Sequence, residues 1–365
     1  MPAVPVPAKG RTSPSWTVEP LQGWHLPLLD DPSFLPLQPL LQRSLLLALP
    51  EKLLAAVTSR RPLAPQVLVA LQRQGLTRQQ VLGLIVSRRL NRSGTCWQVQ
   101  HLRLALAAAD DASAPGRAAL GGDLLRQAIG RVKGAASWIA TASSLDTPRL
   151  ATLREQGFQP QRTDRLWRWQ SAADRVAPAA SPAELQLRPL NRRTASLLWH
   201  LEQATCPAHL RQLLDRRIED LLDQSRGHGW MLVDAVRNEA VAGVRWLDEH
   251  PGGGRMVELS VHPGWGHLLG TAAESLLHRI GRDGTCLWLR CEVSDGARQA
   301  WLQALGAEAH GEEVLMARSV WRRQEGQPAQ RAARRIGAVL EQLQPRRRPM
   351  PTPSGPLGNL PLAPR

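Results

Sequence analysis

The sequence has no tyrosine and only 2 phenylalanines, although it holds 13 tryptophans in 365 residues. The absence of tyrosine excludes any mechanism in which a phenol donates or accepts a proton. Hydrophobic residues still make up 43% of the chain, which is enough for packed cores. At roughly 100–200 residues per domain, the length predicts two domains.

Cysteine is scarce as well, at four residues. Cys96, Cys206, Cys286 and Cys291 form no C-x-x-C pair, and none lies near a histidine at zinc-finger spacing. Cys286 and Cys291 share one apolar run, in which cysteine behaves as a small hydrophobe. We therefore expect a reduced, cytoplasmic protein with no metal site.

Long hydrophobic runs are missing too. The N-terminus carries prolines where a signal peptide needs an apolar segment. The longest apolar stretch, 44–57, is interrupted by Pro50, Glu51 and Lys52, and it is too short and too charged to span a bilayer. The sequence predicts no association with a membrane.

Positive charge is abundant, with 46 Lys and Arg against 31 Asp and Glu and a formal net charge of +15. Such a surface could attract nucleic-acid phosphates. The alternative is a codon bias of a GC-rich genome, since nearly all the cations are arginines scattered through both halves. The compact basic cluster Arg346–Arg348 leaves weak nucleic-acid contact through the tail as a hypothesis.

Composition and spacing divide the chain into five segments. Proline-rich stretches predict disorder at the start and in the tail, and a stretch rich in alanine, proline and serine predicts a central linker. The expected ranges are a disordered N-terminus (1–20), a first domain (21–172), a linker (173–183), a second domain (184–323) and a basic, proline-rich tail that is mostly disordered (324–365).

The second domain shows a clear order of elements. Periodicity and turn residues predict a strand, a helical pair broken at Pro207, three short strands, a helix, a strand, a helix and a last strand. The expected ranges are 184–190, 194–224, 230–235, 241–247, 256–261, 270–280, 286–293, 297–305 and 314–321.

The first domain repeats this order from a helix at 40–60 onward. The closing segments align as SWIATASSLDTPRLATLREQGF and CLWLRCEVSDGARQAWLQALGA. Asp146 and Asp295, Arg149 and Arg298, and Gly157 and Gly306 are each separated by 149 positions. A constant offset at three positions indicates duplication of a whole domain.

This order resembles that of the GNAT acetyltransferases. VELSVHP (257–263) is similar to the family's fourth strand, and HLLGTA (267–272) is similar to the signature Q/R-x-x-G-x-G/A. The resemblance implies an α/β (α+β) fold. It would consist of two tandem GNAT-like domains, each a mixed, mainly antiparallel twisted sheet flanked by helices. The two domains could pack as a pseudo-dimer.

The resemblance also implies acetyl-CoA as co-substrate. A loop that opens a helix offers free backbone N–H groups and the positive end of the helix dipole to a pyrophosphate. Small residues let the phosphate approach the backbone. The expected contacts are His267, Leu268, Leu269, Gly270, Thr271 and Ala272, with His267 at the place of the family's Gln or Arg.

The first domain carries RAALGG (117–122) at the matching place. Here Leu120 replaces the first glycine, and Asp110 and Asp111 in the preceding loop would repel a phosphate. We expect this copy to be degenerate for cofactor binding.

The resemblance implies direct attack of an amine on the thioester. Glu258 could be the base or could orient water, although a solvated strand carboxylate is an equal alternative, and His262 is a second candidate. The N–H of Val261 would polarise the thioester carbonyl. Asp295 stands where the family often has an asparagine that contacts the cofactor.

The general acid is missing. The family's tyrosine position falls on Leu302 and, in the first domain, on Leu153. Cys291 or a water could substitute, although Cys291 also fits a core position.

Three functions follow. The first is an N-acetyltransferase acting on an unidentified small-molecule or peptide amine. The second is an inactive tandem GNAT scaffold or binding protein. The third is a basic RNA- or ribosome-associated protein.

Overall fold

The computed structural model describes residues 16–57, 65–74, 78–106, 115–170, 185–225, 228–281 and 284–320. The expected linker (173–183) and the predicted disorder of the basic tail lie outside these ranges. The expectation of disorder up to residue 20 is wrong at its end, because 16–20 pair with a neighbouring strand.

The first half follows the order that periodicity predicts, with one additional strand in front. Short 3-10 turns at Gly23–Leu28 and Leu35–Leu37 connect this strand to the first helix. The elements are β1 (Trp16–Pro20), α1 (Gln38–Val57), β2 (Gln66–Gln74), β3 (Arg78–Arg89), β4 (Cys96–Leu104), α2 (Pro115–Arg131), β5 (Ser137–Ser143), α3 (Thr147–Glu155) and β6 (Gln159–Trp169).

The second half matches its predicted order except that the helical pair is three helices. The elements are β7 (Leu185–Pro189), α4 (Ala195–Thr205), α5 (Ala208–Leu214), α6 (Ile218–Gln224), β8 (Gly229–Asp234), β9 (Glu239–Glu249), β10 (Arg255–Val261), α7 (Thr271–Ile280), β11 (Leu287–Glu292), α8 (Gly296–Ala304) and β12 (Glu308–Ser319). The unexpected break follows α5, where Asp215 adopts a left-handed conformation with φ of 42° and ends the helix.

Helices cover both faces of the sheet because successive strand residues point to opposite sides. In β8, Met231 and Val233 pack against α4, whereas Leu232 packs beneath α7. The first half is built in the same way, with α1 over one face and α2 over the other. We call these the α1/α4 face and the α2/α7 face.

All twelve described strands form one sheet in the order β1-β2-β3-β4-β5-β12-β6-β11-β10-β9-β8-β7. Only two neighbouring pairs, β4–β5 and β10–β11, are parallel among these strands. The fold is therefore a mixed, mainly antiparallel sheet flanked by helices, as the sequence predicts.

The two halves exchange their last strands. β6 ends the first half but pairs with β11 of the second, and β12 ends the second half but pairs with β5 of the first. The side chains of the exchanged strands pack in the core of the opposite half. Met316 of β12 lies fully buried in the core under α2, and Trp167 and Trp169 of β6 lie in the core under α7. The two hydrophobic cores on the α2/α7 face therefore each contain side chains from both halves.

Candidate functional site

Strands β10 and β11 diverge. Their parallel pairing covers three residue pairs and ends where Val257 pairs with Leu289. Beyond this point 258–261 pair only with β9, and 290–292 pair only with β6. The divergence opens a gap in the sheet, bounded by one free edge of each strand.

The backbone of β10 turns polar groups toward this gap. His262 N–H donates to the Val241 carbonyl of β9 at 2.9 Å, so its neighbour Val261 points its N–H to the opposite edge. Leu259 lies on that same edge, and its carbonyl accepts from Arg298 Nη1 at 3.1 Å. The structure therefore places the Val261 N–H at the gap, where the sequence predicts a donor to a thioester carbonyl.

The predicted phosphate loop runs through a short 3-10 turn, Pro263–Leu268, into the start of α7. Leu268 and Ala272 are buried in the core, whereas His267 and Thr271 are exposed. Gly270 precedes the first helical residue, and a Cβ built on it would meet no atom within 4 Å. The first N–H groups of a helix have no partner within the helix, and the N-cap residue Gly270 offers no side chain to cap those of α7.

Glu258 is the first β10 residue beyond the parallel pairs, and its carboxylate lies on the α1/α4 face. Arg245 of β9, only 1% exposed, donates to Glu258 through Nη2 and to Glu202 of α4 through Nε at 2.5 Å. Arg216 Nη1 lies 3.8 Å from Glu258 Oε2 and 3.4 Å from Glu202 Oε2. We call these four residues the charged cluster.

The cluster separates the pKa values of its two carboxyl groups. Burial raises the pKa of Glu202, and the charge of Arg245 opposes that change only in part. Burial acts to raise the pKa of Glu258 as well, but the positive charges of Arg245 and Arg216 outweigh it and lower that pKa. Glu258 is therefore ionised and bound in an ion pair.

Neither candidate histidine contacts the charged cluster through a described hydrogen bond. His262 starts the 3-10 turn, and its Nδ1 accepts from the Gly264 N–H at 3.1 Å. His267 lies exposed beside Trp265, with ring centroids 5.4 Å apart. The structure thus gives His262 a turn-capping bond, and its catalytic role stays a prediction.

Asp295 caps α8. Its Oδ1 accepts from the Arg298 N–H at 3.0 Å, and Asp146 makes the same bond to the Arg149 N–H at 3.1 Å. This shared cap accounts for the repeated Asp and for its offset. The structure therefore gives Asp295 a structural role, and its contact with a cofactor stays a prediction.

The residues weighed for the general acid are packed in the core. Leu302 and Leu153, on which the resemblance places the family's tyrosine position, are buried in the two cores of the α2/α7 face. Cys291 is 1% exposed, and burial raises the pKa of its thiol to about 11. It is a neutral core side chain at physiological pH.

The first half lacks two of these features. Arg117–Gly122 lie inside α2, so their backbone belongs to a regular helix rather than to an open loop. Val99 is the last residue of β4 that pairs with β5. Beyond it, the next residue of β4 that pairs with β3 is His101, which lies on the α1/α4 face opposite Val86. No carboxylate stands where Glu258 stands in the second half.

Sequence patterns did not predict the charged cluster or the bond from Arg298 to β10. One signal was present, because Arg245 interrupts the apolar strand 241–247 and a charge there needs a partner. Its partners lie 43 and 13 residues away, and periodicity does not identify partners at such distances.

Comparison with solved structures identifies the fold. A GCN5-related N-acetyltransferase from Sphaerobacter thermophilus superimposes with a TM-score of 0.50 at 12% identity, over 84% of this chain and 96% of that one. A tandem GNAT protein from the clavulanic acid biosynthesis pathway, solved without acetyl-CoA, gives 0.48 at 17% identity, over 83% and 98%. No family model and no curated protein matches the chain. The chain has the GNAT acetyltransferase fold.

The described residues contain no group of three or more His, Cys, Asp or Glu side chains that could hold a metal ion. None of the helices in the described ranges is long and apolar enough to cross a bilayer.

Proposed function

We propose that the chain is an N-acetyltransferase that transfers an acetyl group from acetyl-CoA to an amine, and that its second half holds the active site. One observation carries the proposal. The divergence of β10 and β11 lies beside an open helix start, and the Val261 N–H points into the gap. A thioester arm fits between two separated strand edges, and a pyrophosphate fits a helix N-terminus with open space at Gly270.

The residues at the gap suit direct transfer. The amine nitrogen attacks the thioester carbonyl carbon, a C–N bond forms, and the C–S bond breaks. The Val261 N–H stabilises the negative charge that develops on the carbonyl oxygen. The amine loses its proton to solvent, and water protonates the departing thiolate. This route needs no tyrosine.

Glu258 suits a role in orienting water or the amine better than a role as a strong base. Its ion pair with Arg245 and Arg216 holds it ionised, and a carboxylate of low pKa removes protons weakly. One oxygen is bound by arginine, and the side chain is 34% exposed, so Glu258 can still accept a bond from an ammonium group. The acceptor would approach from the α1/α4 face.

A second candidate function is a non-catalytic tandem scaffold. Leu302 and Leu153, which are buried in the two cores, favour it because they leave no dedicated acid. A pseudo-dimer arrangement of the two halves stays part of the proposal for either function. The proposed nucleic-acid contact rests on the basic tail, which lies outside the described residues.

Titration calorimetry with acetyl-CoA tests the proposal. We expect one binding site per chain, and we expect Gly270→Asp to abolish binding because it places a carboxylate where the pyrophosphate would lie. Gly23→Asp is the matched control. It adds the same charge at an equally open glycine, at the first residue of a 3-10 turn in the first half. Two sites, or equal effects of the two variants, would count against the proposal.

Release of free thiol with a panel of amines separates the enzyme from the scaffold. An enzyme releases thiol with at least one amine, and Glu258→Gln slows that release. A protein that binds acetyl-CoA but releases none with any amine supports the scaffold.

A further inference from the structure

The turn between β3 and β4 in the first half reaches across to the helices of the second half. Arg92 donates through Nε and Nη2 to the two carboxylate oxygens of Asp223, at 2.6 and 2.8 Å. Its backbone N–H donates to Asp220 Oδ1 at 2.7 Å. Thr95 donates through its hydroxyl to Asp215 Oδ2 at 2.6 Å. We call Asn91–Thr95 the β3–β4 turn.

The same turn binds the loop that joins α5 to α6. Asn91, only 4% exposed, donates through Nδ2 to the carbonyls of Leu214 at 3.3 Å and Asp215 at 3.0 Å. Asp215 is one of two non-glycine residues with positive φ in the described part of the chain. A left-handed aspartate is uncommon, and neighbouring hydrogen bonds help to hold it in that conformation. The loop 215–217 is therefore fixed from outside its own half.

Arg216 lies at the centre of this loop and points into the charged cluster. Its Nη1 contacts Glu202 and Glu258 in the second half, and its carbonyl accepts from Trp199 Nε1 at 3.4 Å. A continuous path of contacts thus runs from the β3–β4 turn through Asp215 and Arg216 to Glu258. Both ends of the path lie on the α1/α4 face, from which an acceptor would approach.

We propose that the β3–β4 turn is a positioning element for the acceptor side of the second half. It fixes the loop 215–217, and the loop places Arg216 beside Glu258. The first half, which lacks the open helix start, thereby contributes to amine binding without binding acetyl-CoA. This inference rests on the proposed function for its effect on catalysis, while the ordering of the loop can be measured independently.

The double variant Arg92→Ala/Thr95→Val removes the side-chain bonds from Arg92 to Asp223 and from Thr95 to Asp215, and it leaves those of Asn91 in place. We expect faster hydrogen exchange across 208–224. We also expect the KM for the amine to rise by about 5–10-fold, with a smaller change in kcat, because binding geometry is lost more than chemistry. The affinity for acetyl-CoA should stay unchanged. The single variant Thr95→Ser keeps both the hydroxyl and Arg92. It should show the hydrogen exchange and the amine KM of the unaltered chain.

Arg126→Ala is the matched control, since Arg126 pairs with Asp123 at 3.2 Å within its own helix and is 67% exposed. It removes one arginine from the first half without touching α5 or α6. Exchange over 208–224 and amine KM should both match those of the unaltered chain.

The outcomes separate the inference from the proposed function. Unchanged exchange over 208–224 overturns the inference, whether or not the protein binds acetyl-CoA. Faster exchange with an unchanged amine KM overturns the positioning role. If the unaltered chain binds no acetyl-CoA while the variant exchanges faster, the proposed function fails and the ordering of the loop by the first half is supported.

Discussion

Helices α2 and α7 end at equivalent places, Arg131 and Ile280, which are 149 residues apart. They begin differently, since α2 has 17 residues and starts at Pro115, whereas α7 has 10 and starts at Thr271. The segment that forms a 3-10 turn and an open helix start in the second half is continuous α-helix in the first. A duplicated signature can therefore keep its position in the fold while its backbone N–H groups lie within a helix and donate to helix carbonyls.

The same contrast extends to charge. The second half places Glu258 on the α1/α4 face beside Arg245 and Arg216, and the first half places His101 there. Arginines lower the pKa of Glu258, and arginines also lie near His101, where they lower the pKa of a base instead of a carboxyl group. The two halves thus share an architecture and differ at the residues that a reaction would use.

The largest expected effect comes from Arg245→Met. This change leaves the buried carboxylate of Glu202 without its closest partner, and removing one member of a buried pair costs about 3–5 kcal/mol. Denaturation in urea should show this loss as a lower midpoint with an unchanged slope.

The control for that variant is Arg88→Met on β3, whose pair with Asp248 is 37% and 33% exposed. We expect a change of about 0–1 kcal/mol there. Equal losses in the two variants would show that the charged cluster adds no stability specific to the second half.

A smaller effect on the free energy of unfolding is expected when the pH is lowered. Burial, together with Arg103, Arg149 and Arg88, lowers the pKa of His101 from 6.5 to about 4. A base with a depressed pKa contributes stability that is present above pH 6.5 and is lost as the pH falls toward 4. His101→Leu should remove roughly 1–3 kcal/mol of the difference in unfolding free energy between pH 7 and pH 4.

The measurement is urea unfolding at both pH values for the two proteins. His310→Leu is the matched control, because it makes the same replacement at a histidine that is 42% exposed. A pH dependence that is identical with and without His101 would contradict the assignment.

The smallest effect tests the repeated caps. Asp146→Ala and Asp295→Ala should each cost about 1 kcal/mol, since each removes one N-cap bond. If the two aspartates act only as helix caps, both variants should lose the same stability and keep the same affinity for acetyl-CoA. If Asp295 also contacts the cofactor, only Asp295→Ala weakens binding in calorimetry.

Sequence patterns predicted most elements because periodicity and turn residues are local signals. The offset between Asp146 and Asp295 showed the duplication, and the caps at both positions explain why that signal survived. The break after α5 was missed because it depends on Asp215, whose conformation is held by Asn91 far away in the chain.

The candidate site was predicted in part for the same reason. HLLGTA identified the helix start, since the signature is contiguous. The exchange of β6 and β12 and the partners of Arg245 depend on pairings between distant segments. Nothing in the local pattern distinguishes a strand that returns to its own half from one that joins the other.

The exchange of β6 and β12 constrains how the protein is made. While the ribosome synthesises the chain, β5 lacks its second neighbour until β12 (Glu308–Ser319) has emerged from the exit tunnel. The N-terminal core also waits for Met316 before it is filled. Domains usually complete folding one by one during translation. Here the first half reaches its final pairing only with a strand of the second, and a nascent chain stalled before residue 308 would expose the unpaired edge of β5 to chaperones.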